Sequence, residues 1–162
     1  MSAVPATASR WDPALAGEII AAHLGLEGPG LPILHALQHA FGHVPAEAVP
    51  LVAEALNISR AEVHGVLTFY HDFRREPAGR HVLKLCRAEA CQATGAVPLA
   101  EDLLRRLGLQ WGGTTPDGRL TVEPTFCLGL CACGPAAMLD GEPVARVNAA
   151  ALDVLVAEAR AR

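Results

Sequence analysis

The sequence predicts an α/β protein in which a small N-terminal helical bundle precedes a layered domain of four strands with flanking helices. Three observations predict it. Apolar residues recur at helical spacing from residue 12 to about residue 70, and short strand-like runs begin after Pro77-Ala78-Gly79. Those runs follow the order strand, helix, strand, strand, strand, helix, which suits a small layered domain. The expected organisation is a flexible tail over 1–11, a helical bundle over 12–79 and the α/β domain over 80–162. A chain of 162 residues is long enough for both parts to bury a core.

The first helix starts at Asp12-Pro13, with Asp as N-cap and Pro in the first turn, and places Leu15, Ile19 and Ala22 on one face. Gly28-Pro29-Gly30 breaks the chain. A second helix carries Leu34, Leu37 and Phe41 and ends near Gly42. A third, with Pro50 in its first turn, carries Leu51, Val52, Ala55 and Leu56. Ser59 and Glu62 form a capping box that opens the fourth, whose stripe is Val63, Val66, Leu67 and Tyr70.

The first strand is predicted over His81–Cys86, where Val82, Leu83 and Leu85 run straight into a cysteine. A loop and then a helix follow, the helix marked by Leu99, Leu103, Leu104 and Leu107 and closed by Gly108. Arg119–Thr125 reads as the second strand. The clearest hairpin signal lies in Ala137–Val147, turning at Asp140-Gly141. A last helix from Asn148 turns Leu152, Leu155, Val156 and Ala159 inward.

Hydrophobic residues make up 51% of the sequence and the mean hydropathy is +0.28, so a membrane span needs testing. The longest stretch without Asp, Glu, Lys or Arg, Gly28 to Ala46, contains three His, one Gln, three Gly and three Pro, which a span tolerates poorly. No direct membrane insertion is expected. The first ten residues lack the basic start and apolar run of a secretory signal, which points to the cytoplasm. A net charge of −4 without a run of Lys or Arg gives no footprint for nucleic acid or anionic lipid.

In a reducing compartment, five cysteines suggest metal or redox chemistry rather than disulfides. Cys86 and Cys91 follow the first strand, and Cys127 and Cys131 follow the second. Two thiolate pairs at the ends of neighbouring strands can converge on one inorganic centre, and four thiolates suit a 2Fe-2S or 4Fe-4S cluster. Gly95, Gly129 and Gly134 let the backbone curl closely round it. A closed tetrahedral zinc site competes, although the spacing within the first pair and the long gap between pairs fit zinc ribbons less well. Buried free thiols are the third reading. No C-x2-C supports a thioredoxin-like dithiol.

Cys133 reads as a small apolar neighbour of the site, with a swap ligand as the alternative. His35 and His39 share a helical face but lack a carboxylate partner, so they and His43 read as surface or packing residues. His81 reads as a strand-edge residue. No GxGxxG, G-x-S-x-G or P-loop is present, so any nicotinamide belongs to another subunit of an assembly.

LPILHALQHAFGHVP at 31–45, TFYHDFR at 68–74, HVLKLCRAEAC at 81–91, and CLGLC and GPAAMLDG within 127–141 together resemble the thioredoxin-like 2Fe-2S subunits found beside the flavoprotein of NADH dehydrogenase, the 24 kDa subunit type. The resemblance covers nearly the whole chain. It implies a thioredoxin-like domain with a four-stranded mixed sheet, one 2Fe-2S cluster, and Cys86, Cys91, Cys127 and Cys131 as its ligands, each pair on its own iron. It implies electron transfer without a catalytic side chain, beside a flavin (FMN) subunit that binds NAD. VHGVLTFYHDFR is most similar to the gamma subunit of soluble NAD-dependent formate dehydrogenases, which adds a larger iron-sulfur, molybdenum subunit as partner. The respiratory complex and NAD-linked hydrogenases are the alternative hosts. Ala132 and Cys133 depart from the polar residues expected there. The helical half is expected to dock the flavin subunit. Two rivals are a free-standing thioredoxin-like ferredoxin and a zinc-stapled interaction module.

Overall fold

A computed structural model describes residues 10–161, so most of the expected tail lies outside the described residues. The chain separates between Pro77 and Ala78 into two compact units.

The first unit contains α1 (Pro13–His23), α2 (Gly30–Phe41), α3 (Ala48–Leu56) and α4 (Arg60–Phe69). Its ends obey local chemistry. The Ala14 N–H donates to Asp12 Oδ1 at 2.9 Å, and Gly42 closes α2 with φ of 76°. At α4 the Glu62 N–H donates to Ser59 Oγ at 3.2 Å while the Ser59 N–H donates to Glu62 Oε2 at 2.8 Å, the expected reciprocal box. The core gathers Ala16, Ile20, Leu34, Leu37, Phe41, Val52, Val63 and Leu67.

Three predicted faces need correction. On α1 the buried pair is Ala16 and Ile20, Leu15 and Ile19 are half-buried, and Ala22 is exposed. On α3 Val52 and Ala53 are buried while Ala55 is exposed. Tyr70 caps α4 outside the stripe and is exposed. In short, apolar helices several rotations satisfy the pattern, and packing against neighbours selects one.

The second unit holds a four-stranded mixed sheet of order β2-β1-β3-β4, built from β1 (His81–Cys86), β2 (Leu120–Thr125), β3 (Ala137–Leu139) and β4 (Glu142–Val144). β1 pairs parallel with β2 and antiparallel with β3, so it is central and buried along most of its length. The parallel pair needs a crossover, supplied by α5 (Glu89–Ala93) and α6 (Ala96–Leu107). The sequence alone reads α5 as loop, because one and a half turns carry too few residues for a helical period to show. The two prolines within strands, Pro124 and Pro143, sit in the edge strands β2 and β4, where a missing N–H costs no ladder bond.

The hairpin is shorter than expected and ends at Val144, but it turns at Asp140 and Gly141 with φ of 50° and 94°. The Asp140 carboxylate accepts from the Val82 N–H at 2.8 Å and from His81 Nδ1 at 2.6 Å, pinning the turn to the start of β1. α7 (Ala149–Ala161) is capped by Asn148 Oδ1, which accepts from the Ala151 N–H at 2.9 Å. Its Leu152, Leu155, Val156 and Ala159 are buried as predicted. α6 packs on β1, α7 on β2, and the two on each other, enclosing Leu83, Leu103, Leu120 and Val122.

Leu83 is fully buried in the central strand, so Leu83→Ala is expected to cost about 3 kcal/mol by urea unfolding. Bonds from the Ser59 backbone and hydroxyl hold the Glu62 carboxyl below its usual range. A depressed folded value stabilises above the ordinary glutamate range and is lost as pH falls through it. Glu62→Gln should therefore destabilise at neutral pH and make no difference in acid, as thermal unfolding at the two pH values will show.

Candidate metal centre

Parallel pairing sets Cys86 opposite Thr125, so the loops after β1 and β2 leave the same edge of the sheet. That edge, at the carboxyl ends of parallel strands, is where open α/β sheets offer a site. Two backbone bonds lock it. The Arg87 N–H donates to Thr125 O at 2.8 Å, and the Cys86 N–H donates to Ala136 O at 3.0 Å.

Cys86 ends β1 and is 3% exposed; Cys91, carried by α5, is 2% exposed. Cys127 and Cys131 lie in the loop after β2 and are exposed. The Cys127 Sγ stands 3.6 Å from the Cys131 Sγ. Two sulfurs bonded at about 2.3 Å to one tetrahedral metal stand about 3.7 Å apart, so this pair is already spaced to share one. The Cys86 and Cys91 thiols are hydrogen-bonded to each other, and Cys131 lies close enough to both for their charges to interact. The structure thus brings together all four sequence-predicted residues.

Backbone N–H groups converge on the sulfurs. Cys86 accepts from Ala88, Cys127 and Leu128, Cys91 from Ala136, and Cys127 from Gly129 at 3.4 Å. Burial pushes the Cys86 thiol up, but these donors together with the Cys91 thiol outweigh it and leave its pKa lowered. Burial pushes Cys91 up, and the Cys86 and Cys131 charges add to that. Cys131 is raised chiefly by its bond to Cys127 and by the charge there. Without a cation, therefore, the set resists ionising together. A bound metal reverses the balance.

Loop geometry serves the approach. Gly95 and Gly129 take φ of 94° and 78°, and Cys127, not a glycine, takes 95°. Gly134 does not use a left-handed φ. Its part is close approach, because a Cβ there would lie 2.8 Å from Thr94 Oγ1 and 3.4 Å from Cys91 Sγ.

Cys133 is half-buried in the short 3-10 turn Cys131–Cys133, where its N–H donates to Leu130 O and its carbonyl accepts from Arg146, both at 2.8 Å. Its backbone ties the loop in place. His81 starts β1, about 17 Å from Cys86 along an extended strand, and is held by Asp140. The His35 ring packs on Phe73 at 4.8 Å, and the His43 Nδ1 bonds its own helix end at Phe41 O. Among the described residues, no three or more Cys, His, Asp or Glu side chains group round a single ion. The Cys127–Cys131 pair is spaced for one metal and the Cys86–Cys91 pair lies beside it, an arrangement of two pairs that suits a two-metal centre. Sequence reasoning missed the contact between Arg87 and Trp111, whose ring centroid lies 5.0 Å from the guanidinium. Nothing local links residues so far apart.

Gly134→Ala is expected to lower bound iron severalfold by pushing on Cys91. Adding Thr94→Ala, which removes the closest atom, should restore part of it in a colorimetric iron assay.

The profile of the family described as thioredoxin-like [2Fe-2S] ferredoxin matches residues 16–160. A component of the NADH-quinone oxidoreductase of Pseudomonas aeruginosa is 38% identical over 109 residues, covering 67% of this chain and 66% of that one. The HndA component of the NADP-reducing hydrogenase of Solidesulfovibrio fructosivorans is 31% identical over 132 residues, covering 82% and 77%. Among solved structures, a chain of the NAD+-reducing [NiFe]-hydrogenase in the H2-reduced state matches with a TM-score of 0.65 and 30% identity over 80% of this chain. This chain spans 22% of that hydrogenase chain. The chain belongs to the thioredoxin-like [2Fe-2S] ferredoxin family, and its cofactor is one 2Fe-2S cluster.

Proposed function

We propose that Cys86, Cys91, Cys127 and Cys131 hold the cluster and that the chain passes single electrons as a subunit of a cytoplasmic NAD-linked oxidoreductase, beside an FMN subunit that binds NAD. The observation that carries this reading is the meeting of the two cysteine pairs at the carboxyl edge of the parallel strands. When bound, the cluster supplies a one-electron store. The protein's own residues supply the setting. Burial of Cys86 and Cys91 keeps water from one half of the ligand set, and the N–H donors on the sulfurs favour negative charge there. No acid, base or nucleophile is required.

Formate oxidation is our first choice of host, because VHGVLTFYHDFR most resembles the gamma subunit of soluble formate dehydrogenases. A larger molybdenum and iron-sulfur subunit then belongs to the assembly. The names of the relatives favour a second reading, a respiratory NADH-quinone oxidoreductase or an NAD-linked hydrogenase. Phe69 and Tyr70, 74% and 43% exposed at the end of α4, give the helical unit an apolar surface for a partner. No helix among the described residues is long and apolar enough to cross a membrane.

Serine at any of Cys86, Cys91, Cys127 or Cys131 should abolish the visible absorption and the EPR signal of the reduced protein. Cys133→Ser should leave both unchanged. A colourless wild-type protein holding one zinc would end the reading. For the host, the native chain should co-elute with FMN and molybdenum in gel filtration; elution alone supports the free ferredoxin, and flavin without molybdenum the second reading.

A further inference from the structure

Arg87 is the first residue after β1 and directly follows Cys86. Its backbone is held on both sides: the N–H donates to Thr125 O at 2.8 Å, and the carbonyl accepts from Gln92 Nε2 at 2.7 Å. The side chain is half-buried, and its guanidinium lies 5.0 Å from the centroid of the Trp111 ring, within cation–π range.

Trp111 is itself a fixed platform. Half-buried, it packs against the core of the α/β unit. The turn that carries it is tied to β2 by two backbone bonds: the Gly112 N–H donates to Val122 O at 2.8 Å, and the Val122 N–H donates to Gly113 O at 3.1 Å. Within the turn Gly112 takes φ of 77°, and a Cβ on Gly113 would lie 2.8 Å from Gln110 O, so both positions require glycine.

Charge balance sets this arginine apart. Elsewhere in the unit Lys84 stands 3.8 Å from Glu123, Arg105 and Arg106 both meet Asp102, and Arg106 also lies 2.6 Å from Asp153. Among the described residues no carboxylate pairs with Arg87. A guanidinium stays protonated throughout the working pH range, so half-burying one is unfavourable unless negative charge stands nearby. The cysteine site supplies it. Four thiolates and two sulfides outweigh two ferric ions, so the loaded site is anionic when oxidised and gains one further negative charge when a single electron enters.

We infer that Arg87 sets the reduction potential, its fixed positive charge favouring the reduced cluster, and that Trp111 is the positioning residue that holds the charge in place. The inference rests on the ligand assignment proposed above. The electron comes from reduced flavin in the assembly, or from dithionite in the test below, and no bond in the chain forms or breaks. Only charge changes. Consecutive Cα atoms stand about 3.8 Å apart, which puts the guanidinium on the order of 10 Å from the centre. At that distance and an effective dielectric constant of about 20, one fixed charge shifts a one-electron equilibrium on the order of tenfold. A guanidinium loose in solvent acts less, because water and salt screen it.

The test is an EPR-monitored titration of the full, cluster-loaded chain with dithionite, with bound iron measured for each variant. Arg87→Gln should lower the midpoint potential by about 59 mV, the one-electron equivalent of a tenfold change, with iron and the shape of the EPR signal unchanged. Arg87→Lys, which keeps the charge, should recover about half of that shift or more. Trp111→Leu should lower the potential by about half as much as Arg87→Gln, since the arginine then swings into solvent. Trp111→Phe should stay near wild type. Added to Arg87→Gln, Trp111→Leu should cause no further fall. An unchanged potential in iron-replete Arg87→Gln overturns the inference. So does a recovery of less than about half in Arg87→Lys, which makes packing rather than charge the cause. An additive fall in the double variant overturns the role of Trp111. Should Arg87→Gln lose iron, Trp111→Leu decides: a lowered potential supports the inference, and an unchanged one overturns it. A wild-type chain that gives no EPR signal on reduction overturns the functional reading itself, and this inference with it.

Discussion

Parallel pairing of β1 with β2 is the constraint on which the site depends. It aligns Cys86 with Thr125 and so delivers both cysteine loops to one edge of the sheet. An antiparallel arrangement of the same two strands would send the loops to opposite ends. Parallel pairing requires a crossover, which α6 provides, and α6 with α7 buries Leu83, Leu120 and Val122. The apolar core and the meeting of the four cysteines therefore share one cause. β3, antiparallel on the other side of β1, brings in Ala136, which bonds both Cys86 and Cys91.

Four thiols at one edge create an electrostatic conflict that the fold resolves only partly. N–H donors ease ionisation of Cys86, while burial and neighbouring charge oppose it at Cys91, and neighbouring thiols oppose it at Cys131. A metal centre removes the conflict by supplying positive charge. Hydrogen bonds from the backbone to sulfur are also among the levers that set a cluster's potential. On the proposed assignment the same loop atoms would hold the ligands and tune them, and Gly134 leaves no room for a side chain beside Cys91.

The proposed ligand set divides into a covered half and an open half, and the open half lies in a loop without ionisable groups other than its thiols. For an isolated ferredoxin such a surface is a liability, since exposed apolar loops invite association. In a subunit it is an asset. Relatives in NADH-quinone oxidoreductases and hydrogenases, and a match spanning a minor part of a longer hydrogenase chain, agree with a module that works next to others. The Ala132 and Cys133 departures from polar residues add to this apolar character.

Much of this was legible in the chain itself. Helix ends at Asp12, Ser59, Gly42, Gly108 and Asn148, and the Asp140-Gly141 turn, follow from local chemistry that acts over a few residues. The cysteine spacing identified the ligand candidates, and the surrounding motifs pointed to the family. Which rotation α1 and α3 present was not legible, because short apolar helices satisfy their pattern in several ways and neighbours choose among them. The short α5 around Cys91 escaped notice for want of length and periodicity. The meeting of Cys86 and Cys91 with Cys131, the left-handed Cys127, the stack of Arg87 on Trp111 and the exposure of Phe126 were decided by tertiary structure alone. Each depends on strand order and register, which bring together residues remote in the chain, and no local preference encodes such distances.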